Sequence, residues 1–183
     1  MNSEALSWTV EKNETLLHTP VFDVEQRESL SESGLRGSYY ALRAPDWVVV
    51  IPVLGQSFVL VRQFRHGLGA FTTEFPGGVA KAGEAPEKSA ERELLEETGF
   101  KAGKITVLGR CNPNPALFSN EFTVCLAEDL TDTQETHPDE DEFIRIEKMP
   151  IDRVIDGFCS GELIHAFTGT ALALYLRHKA KKS

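Results

Sequence analysis

Gly78-Val-Ala-Lys-Ala-Gly-Glu84-Ala-Pro86-Glu-Lys-Ser-Ala-Glu-Arg92-Glu93-Leu94-Leu95-Glu96-Glu97-Thr98-Gly99-Phe100 is the stretch from which this 183-residue chain is best read. Pro86 near a first turn and Gly99 just past a last one predict a helix over 86–98. At about 100° per residue, Glu93, Glu96 and Glu97 fall within roughly a 100° arc, so three carboxylates share one face. Leu94 and Leu95 flank that arc and can anchor the helix to a sheet. Like charges at these spacings repel, so the cluster costs stability unless a cation answers it. Just ahead, Pro76-Gly77-Gly78 is a tight glycine loop that can bring backbone carbonyls and amides close to a ligand. A merely solvated acidic face is the plain alternative.

Outside this stretch the composition is that of an average globular protein, with 41% hydrophobic and 26% charged residues, which excludes collagen-like, fibrous and disordered classes. Nineteen Lys and Arg against 28 Asp and Glu leave a net charge of −9. A molecule this acidic lacks the cationic field that nonspecific nucleic-acid or membrane-surface binding requires. If its substrate is a polyanion, metal cations are the natural means of reversing the local sign. Cys111, Cys125 and Cys159 are odd in number and show no CxxC spacing, which argues against a disulfide framework or a zinc site and for a reducing, cytoplasmic compartment. The N-terminus has no basic region followed by an apolar core, so no secretory leader is expected. The longest apolar runs, 47–54 and 171–176, fall far short of the roughly 20 residues that span a bilayer.

Strands are expected over 15–24, 38–44, 47–54, 57–64, 104–110, 121–127 and 143–147, with a hairpin turn at Leu54-Gly55-Gln56. Further helices are expected over 151–159 and 163–179. The pattern is α+β, a mixed sheet with helices packed on it rather than a strict βαβ alternation. Residues 1–44 are expected to form an N-terminal β extension and 45–183 the main domain.

Gly78, Glu84, Arg92, Glu93, Leu94, Glu96, Glu97, Gly99 and Phe100 match the Nudix box, GX5EX7REUXEEXGU, at every fixed position. Arg62-Gln63-Phe64-Arg65 and Glu74-Phe75-Pro76-Gly77-Gly78 resemble the RQ[YF]R and E[LF]P[AG]G patterns of the ADP-ribose pyrophosphatase branch. Pro115, 15 residues past Phe100, stands where that branch has a proline, and Ala116 departs from the glycine that often follows it. The resemblance runs from about Trp8 to His178. It implies an α/β/α sandwich that hydrolyses a nucleoside diphosphate linked to another moiety, here ADP-ribose or another nucleoside diphosphate sugar, with Mg²⁺ or Mn²⁺. It makes Glu93 and Glu97 the principal metal ligands, with Glu96 and the Gly77 carbonyl completing the set. Arg92 is expected to pair with Glu84 or neighbouring carboxylates and orient them. Hard cations take oxygen ligands, so carboxylates suit this role independently of the resemblance.

Arg65 is the leading candidate for a phosphate contact, since a guanidinium fork matches phosphate oxygens. Arg62 and Arg43 follow, with Glu74 also assigned to the substrate site; surface ion pairing is the alternative for the arginines. Trp8, Tyr39 or Tyr40 is a candidate to stack on a base. In related pyrophosphatases a glutamate on the loop before the last strand acts on the attacking water, which makes Glu142 and Glu140 the candidates for the base. Asp139 and Asp141 read as solvated. His66, His137 and His165 have no partner at recognisable spacing and read as structural or exposed. Two other functions are compatible with the fold, a house-cleaning nucleoside triphosphate pyrophosphohydrolase and a non-catalytic nucleotide-binding module. The N-terminal strands are too small to bury a core alone, and related pyrophosphatases pair or exchange such a segment, so a homodimer is expected.

Overall fold

The computed structural model describes residues 6–134 and 143–182. Its chain divides into two compact units, one comprising 1–45 with 112–121 and the other 46–111 with 122–183.

The first unit is an antiparallel three-stranded sheet of β1 (Trp8–His18), β2 (Asp23–Ser31) and β3 (Arg36–Arg43), in that order. The expected strand over 15–24 is instead broken by a turn. Thr19 closes it, its hydroxyl taking the amide of Phe22 at 2.9 Å, so β1 ends at His18 and β2 begins at Asp23. β2 buries Asp23, Glu25, Ser29 and Ser31 rather than apolar residues. Arg43 pairs with both Asp23 and Glu25, and Arg27 pairs with Glu25 at 2.8 Å. The Arg27 hydrogen bond outweighs burial and holds the Glu25 carboxyl below the usual carboxylate range. The 112–121 loop is anchored on this unit by the Leu42 amide, which donates to the Leu117 carbonyl at 2.7 Å.

The second unit is built on β4 (Trp47–Leu54), whose Val48, Val49, Val50 and Ile51 are all buried. A continuous apolar run of this kind needs both faces covered. β4 pairs in parallel with β9 (Phe122–Asp132), which pairs antiparallel with β8 (Phe100–Cys111). On its other edge β4 changes partner along its length. Trp47–Val49 pair with β7 (Gly77–Val79), whereas Val53 and Leu54 pair with β5 (Ser57–Arg65) across the Gly55-Gln56 turn. Between these, the Val50 amide donates to the Pro76 carbonyl at 2.8 Å. β5 carries β6 (Ala70–Glu74) and β10 (Arg145–Pro150). The sheet is mixed, as expected.

Alternation sorts the two layers of core. Val48, Val50, Val59, Cys125 and Ala127 face α1 (Pro86–Thr98), which packs Ala90 and Leu94 on them. Val49, Ile51, Phe58, Leu60, Val124 and Leu126 face α2 (Ile151–Gly157) and α3 (Ala166–Ala180), through Val154, Ala171, Leu172 and Tyr175. Helix, sheet and helix thus form the three-layer sandwich that the box implies. Among the described residues no helix is long and apolar enough to cross a membrane.

Candidate active site

α1 spans the expected residues because its ends are chemically marked. Pro86 occupies the first turn, and Gly99 takes the left-handed conformation (φ 70°) while its amide caps the Leu95 carbonyl, a geometry that glycine adopts without a Cβ penalty. Anchored by Leu94, the helix turns Glu93 and Glu97 inward, with Glu97 3% exposed. The β4–β7 pairing carries Gly77 and Gly78 beneath them. The Gly77 amide donates to Glu97 Oε2 at 3.0 Å. A Cβ on Gly78 would stand 2.6 Å from Glu93 Oε2, so the absent side chain is the space this carboxylate uses. A Cβ on Gly77 would meet the Val48 carbonyl oxygen at 2.2 Å.

Arg92 organises the carboxylates. Its Nη1 donates to Glu93 Oε1 at 2.6 Å and to Glu96 Oε2 at 3.0 Å, and its Nη2 donates to Glu84 Oε2 at 3.2 Å and to the Val79 carbonyl at 3.0 Å. Ser89 Oγ and the Lys81 amide also donate to Glu84, at 2.8 and 3.2 Å. The Arg92 bond, reinforced by these two, holds the Glu84 carboxyl down at about 2 despite partial burial. Burial alone would lower the guanidinium's pKa, yet its carboxylate partners raise it further above the arginine range. One cation thus offsets the mutual repulsion of three glutamates. Among the described residues no three His, Cys, Asp or Glu side chains converge on a single point; Glu93 and Glu96 turn to Arg92, and Glu97 to the Gly77 amide.

The remaining candidates separate. Arg65 and Glu74 come together across the β5–β6 hairpin, with Nε and Nη2 donating to the two carboxylate oxygens at 2.8 and 2.9 Å. Thr72 adds a hydroxyl donor to Glu74 at 2.7 Å. Burial opposes ionisation of Glu74, but Arg65 prevails and keeps its pKa below the usual value. Arg62 lies on the opposite face of β5, forked onto Glu162 at 2.6 and 2.7 Å and stacked 4.0 Å over Phe71. Arg43 belongs to the other unit, in the ion pairs of β2 and β3. Trp8 and Tyr39 meet edge to face with centroids 5.4 Å apart, and Tyr40 is exposed. Glu140, Glu142, Asp139, Asp141 and His137 lie outside the described residues. Cys125 is buried, and burial pushes its thiol up to about 12. The partners that local reading passes over are the Val79 carbonyl, Ser89, Thr72, Glu162 and His165. Ser89 and Thr72 lie within reach by helical and hairpin spacing; Glu162 and His165 are brought in only by the fold.

Residues 44–166 match the NUDIX domain family. Over 168 residues the chain is 30% identical to an ADP-ribose pyrophosphatase of Bacillus subtilis (strain 168), covering 91% of this chain and 90% of that protein. It is 29% identical over 124 residues to the ADP compounds hydrolase NudE of Escherichia coli (strain K12), covering 67% of each. The crystal structure of an ADP compounds hydrolase superposes with a TM-score of 0.87 at 26% identity, over 97% of this chain and 96% of that one. A complete glutamate box seated on a glycine strand within the sandwich, together with these likenesses, places the chain in the Nudix family as a pyrophosphatase.

Proposed function

We propose that this enzyme hydrolyses the pyrophosphate bond of ADP-ribose or another nucleoside diphosphate sugar, giving a nucleoside monophosphate and a sugar phosphate, with Mg²⁺ (or Mn²⁺) as cofactor. The observation that carries the reading is the inward-turned pair Glu93 and Glu97 over the Gly77–Gly78 strand. The likeness to ADP-ribose and ADP-compound hydrolases over most of the chain supports the substrate class.

Glu93, Glu96, Glu97 and the Gly77 carbonyl would hold the cation. All four donors are hard oxygens, the kind such a cation takes; Glu93 and Glu96 would turn from Arg92 to meet it, and the missing Gly78 Cβ leaves the Glu93 carboxylate room. When bound, such an ion polarises phosphoryl oxygens and lowers the pKa of water. Arg92 orients the carboxylates of Glu93 and Glu96, and Arg65, held by Glu74, takes a phosphate of the substrate. Water adds to one phosphorus and its proton passes to a carboxylate, for which Glu142 and Glu140 remain the candidates. The phosphoanhydride bond breaks and its bridging oxygen departs with the other phosphate. We place the protein in the cytoplasm, in keeping with its free cysteines. We further propose a homodimer built through the first unit, because β1 is exposed along its whole length, with Trp8, Val10, Leu16 and Leu17 open to solvent.

The test is a panel of nucleotide sugars, dinucleotides and nucleoside triphosphates incubated with the enzyme and Mg²⁺, with products identified by mass spectrometry. Nucleoside monophosphate and sugar phosphate in equal amounts, abolished by EDTA and restored by Mg²⁺, are expected. Diphosphate released from triphosphates alone would overturn the substrate class. Glu97→Gln keeps the acceptor for the Gly77 amide, so it should retain the fold while losing turnover by at least about a hundredfold; unchanged activity would sink the metal role.

A further inference from the structure

The connection between α2 and α3 is clamped onto the β5–β6 hairpin. The Thr73 amide donates to the Glu162 carbonyl at 2.9 Å, and the Glu162 carboxylate takes the Arg62 fork. This clamp sets His165, three residues on, beside Glu74. The His165 ring faces two ways. Its Nδ1 accepts from the Phe167 amide at 3.1 Å and so caps the first turn of α3. With Nδ1 an acceptor, the proton of the neutral ring sits on Nε2, which stands 3.6 Å from Glu74 Oε2. At that distance the ring N–H points its dipole at the carboxylate without a full hydrogen bond; Oε2 takes Arg65 Nη2 at 2.9 Å, while Oε1 takes Arg65 Nε and the Thr72 hydroxyl. Burial lowers the ring's pKa, against the pull of Glu74 and with the help of Arg65, which favours the neutral ring.

The Arg65 guanidinium is therefore not placed by its own strand alone. Its side chain is 41% exposed, whereas that of Glu74 is 5% exposed and lies between Thr72, Arg65 and His165. An arginine whose fork is already held has less side-chain entropy left to lose when it meets a phosphate, and here the holding element is Glu74. We infer that His165 is a positioning residue, which steers the Glu74 carboxylate and through it the Arg65 fork, tying the geometry of the substrate site to the first turn of α3. The inference rests on the reading of Arg65 as a phosphate contact.

Two substitutions separate the faces of the ring. Asparagine puts its carboxamide oxygen where Nδ1 stands and is a strong N-cap residue, but cannot reach Glu74. Glutamine puts its amide nitrogen near Nε2 and sacrifices the cap. With ADP-ribose and Mg²⁺, His165→Asn should raise KM about tenfold with kcat within about twofold and Tm unchanged. His165→Gln should keep KM within about twofold of wild type while Tm falls. The reverse order, or wild-type KM in both variants, would reduce His165 to a helix cap and overturn the inference. Arg65→Gln keeps the two failures apart. A raised KM there with no change in His165→Asn overturns only the role of His165, whereas an unchanged KM in Arg65→Gln overturns the assignment of Arg65 itself.

Discussion

Gly77 and Gly78 are adjacent and chemically identical, yet they face different obstacles. A methyl group on Gly77 would press into the backbone carbonyl of Val48 in the central strand, at 2.2 Å. Backbone cannot step aside, so Gly77→Ala should cost about 3 kcal/mol of stability or more. A methyl group on Gly78 meets the far end of the Glu93 side chain, which can swing away at a cost of about 1 kcal/mol. The displaced carboxylate, however, is one assigned to the metal. Gly78→Ala should therefore retain most of its Tm and lose about a hundredfold in kcat/KM, whereas Gly77→Ala should lose stability first. Thermal melts and steady-state kinetics on the pair check this, and equal loss of Tm in both would refute it. These roles are not legible in two neighbouring glycine letters; they follow from which atom lies above each.

Among elements, α1 was readable to its end residues because proline, glycine and leucine act locally, within one turn of where they stand. The strands were less so. β7 is three residues long with two glycines, and β2 reads Asp-Val-Glu-Gln-Arg-Glu-Ser-Leu-Ser, a sequence without an apolar face. Its buried carboxylates, Asp23 and Glu25, are answered by Arg27 and by Arg43, which comes from the next strand. The segment entering α1 makes a sharper prediction. Glu84 is ionised down to about 2 in the folded chain, against a usual 4.5, so folding favours its charged form. Its contribution is complete above pH 4.5 and is lost as pH falls toward 2. Screening by solvent at this partly exposed group limits it to about 1–2 kcal/mol. The Tm difference between wild type and Glu84→Gln should accordingly shrink from pH 5 to pH 2.5; a gap that persists at pH 2.5 would remove the Arg92–Glu84 pair as its source.

At the scale of the whole molecule, the first unit presents Leu6, Trp8, Val10, Leu17, Tyr39 and Tyr40 to solvent, more apolar surface than a small three-stranded sheet normally leaves open. Sedimentation of the wild type should give a species of about twice the 20.3 kDa chain. Val10→Asp, which places an unpaired carboxylate in the proposed interface of each copy, should weaken association by about a hundredfold or more. A wild type that sediments as a single chain would end the dimer proposal.

The anionic balance is a sum over the whole chain, and the glutamate spacing, the end signals of α1 and the glycine loop depend on neighbours within a few residues, so all were determined by the sequence itself. The approach of His165 to Glu74, the forking of Arg62 onto Glu162 and the bond from the Gly77 amide to Glu97 were decided by the tertiary structure. The Gly77 contact depends on where β4 exchanges one edge partner for another, and those of Arg62 and His165 on how the α2–α3 connection docks; such long-range pairings leave no local period in the chain.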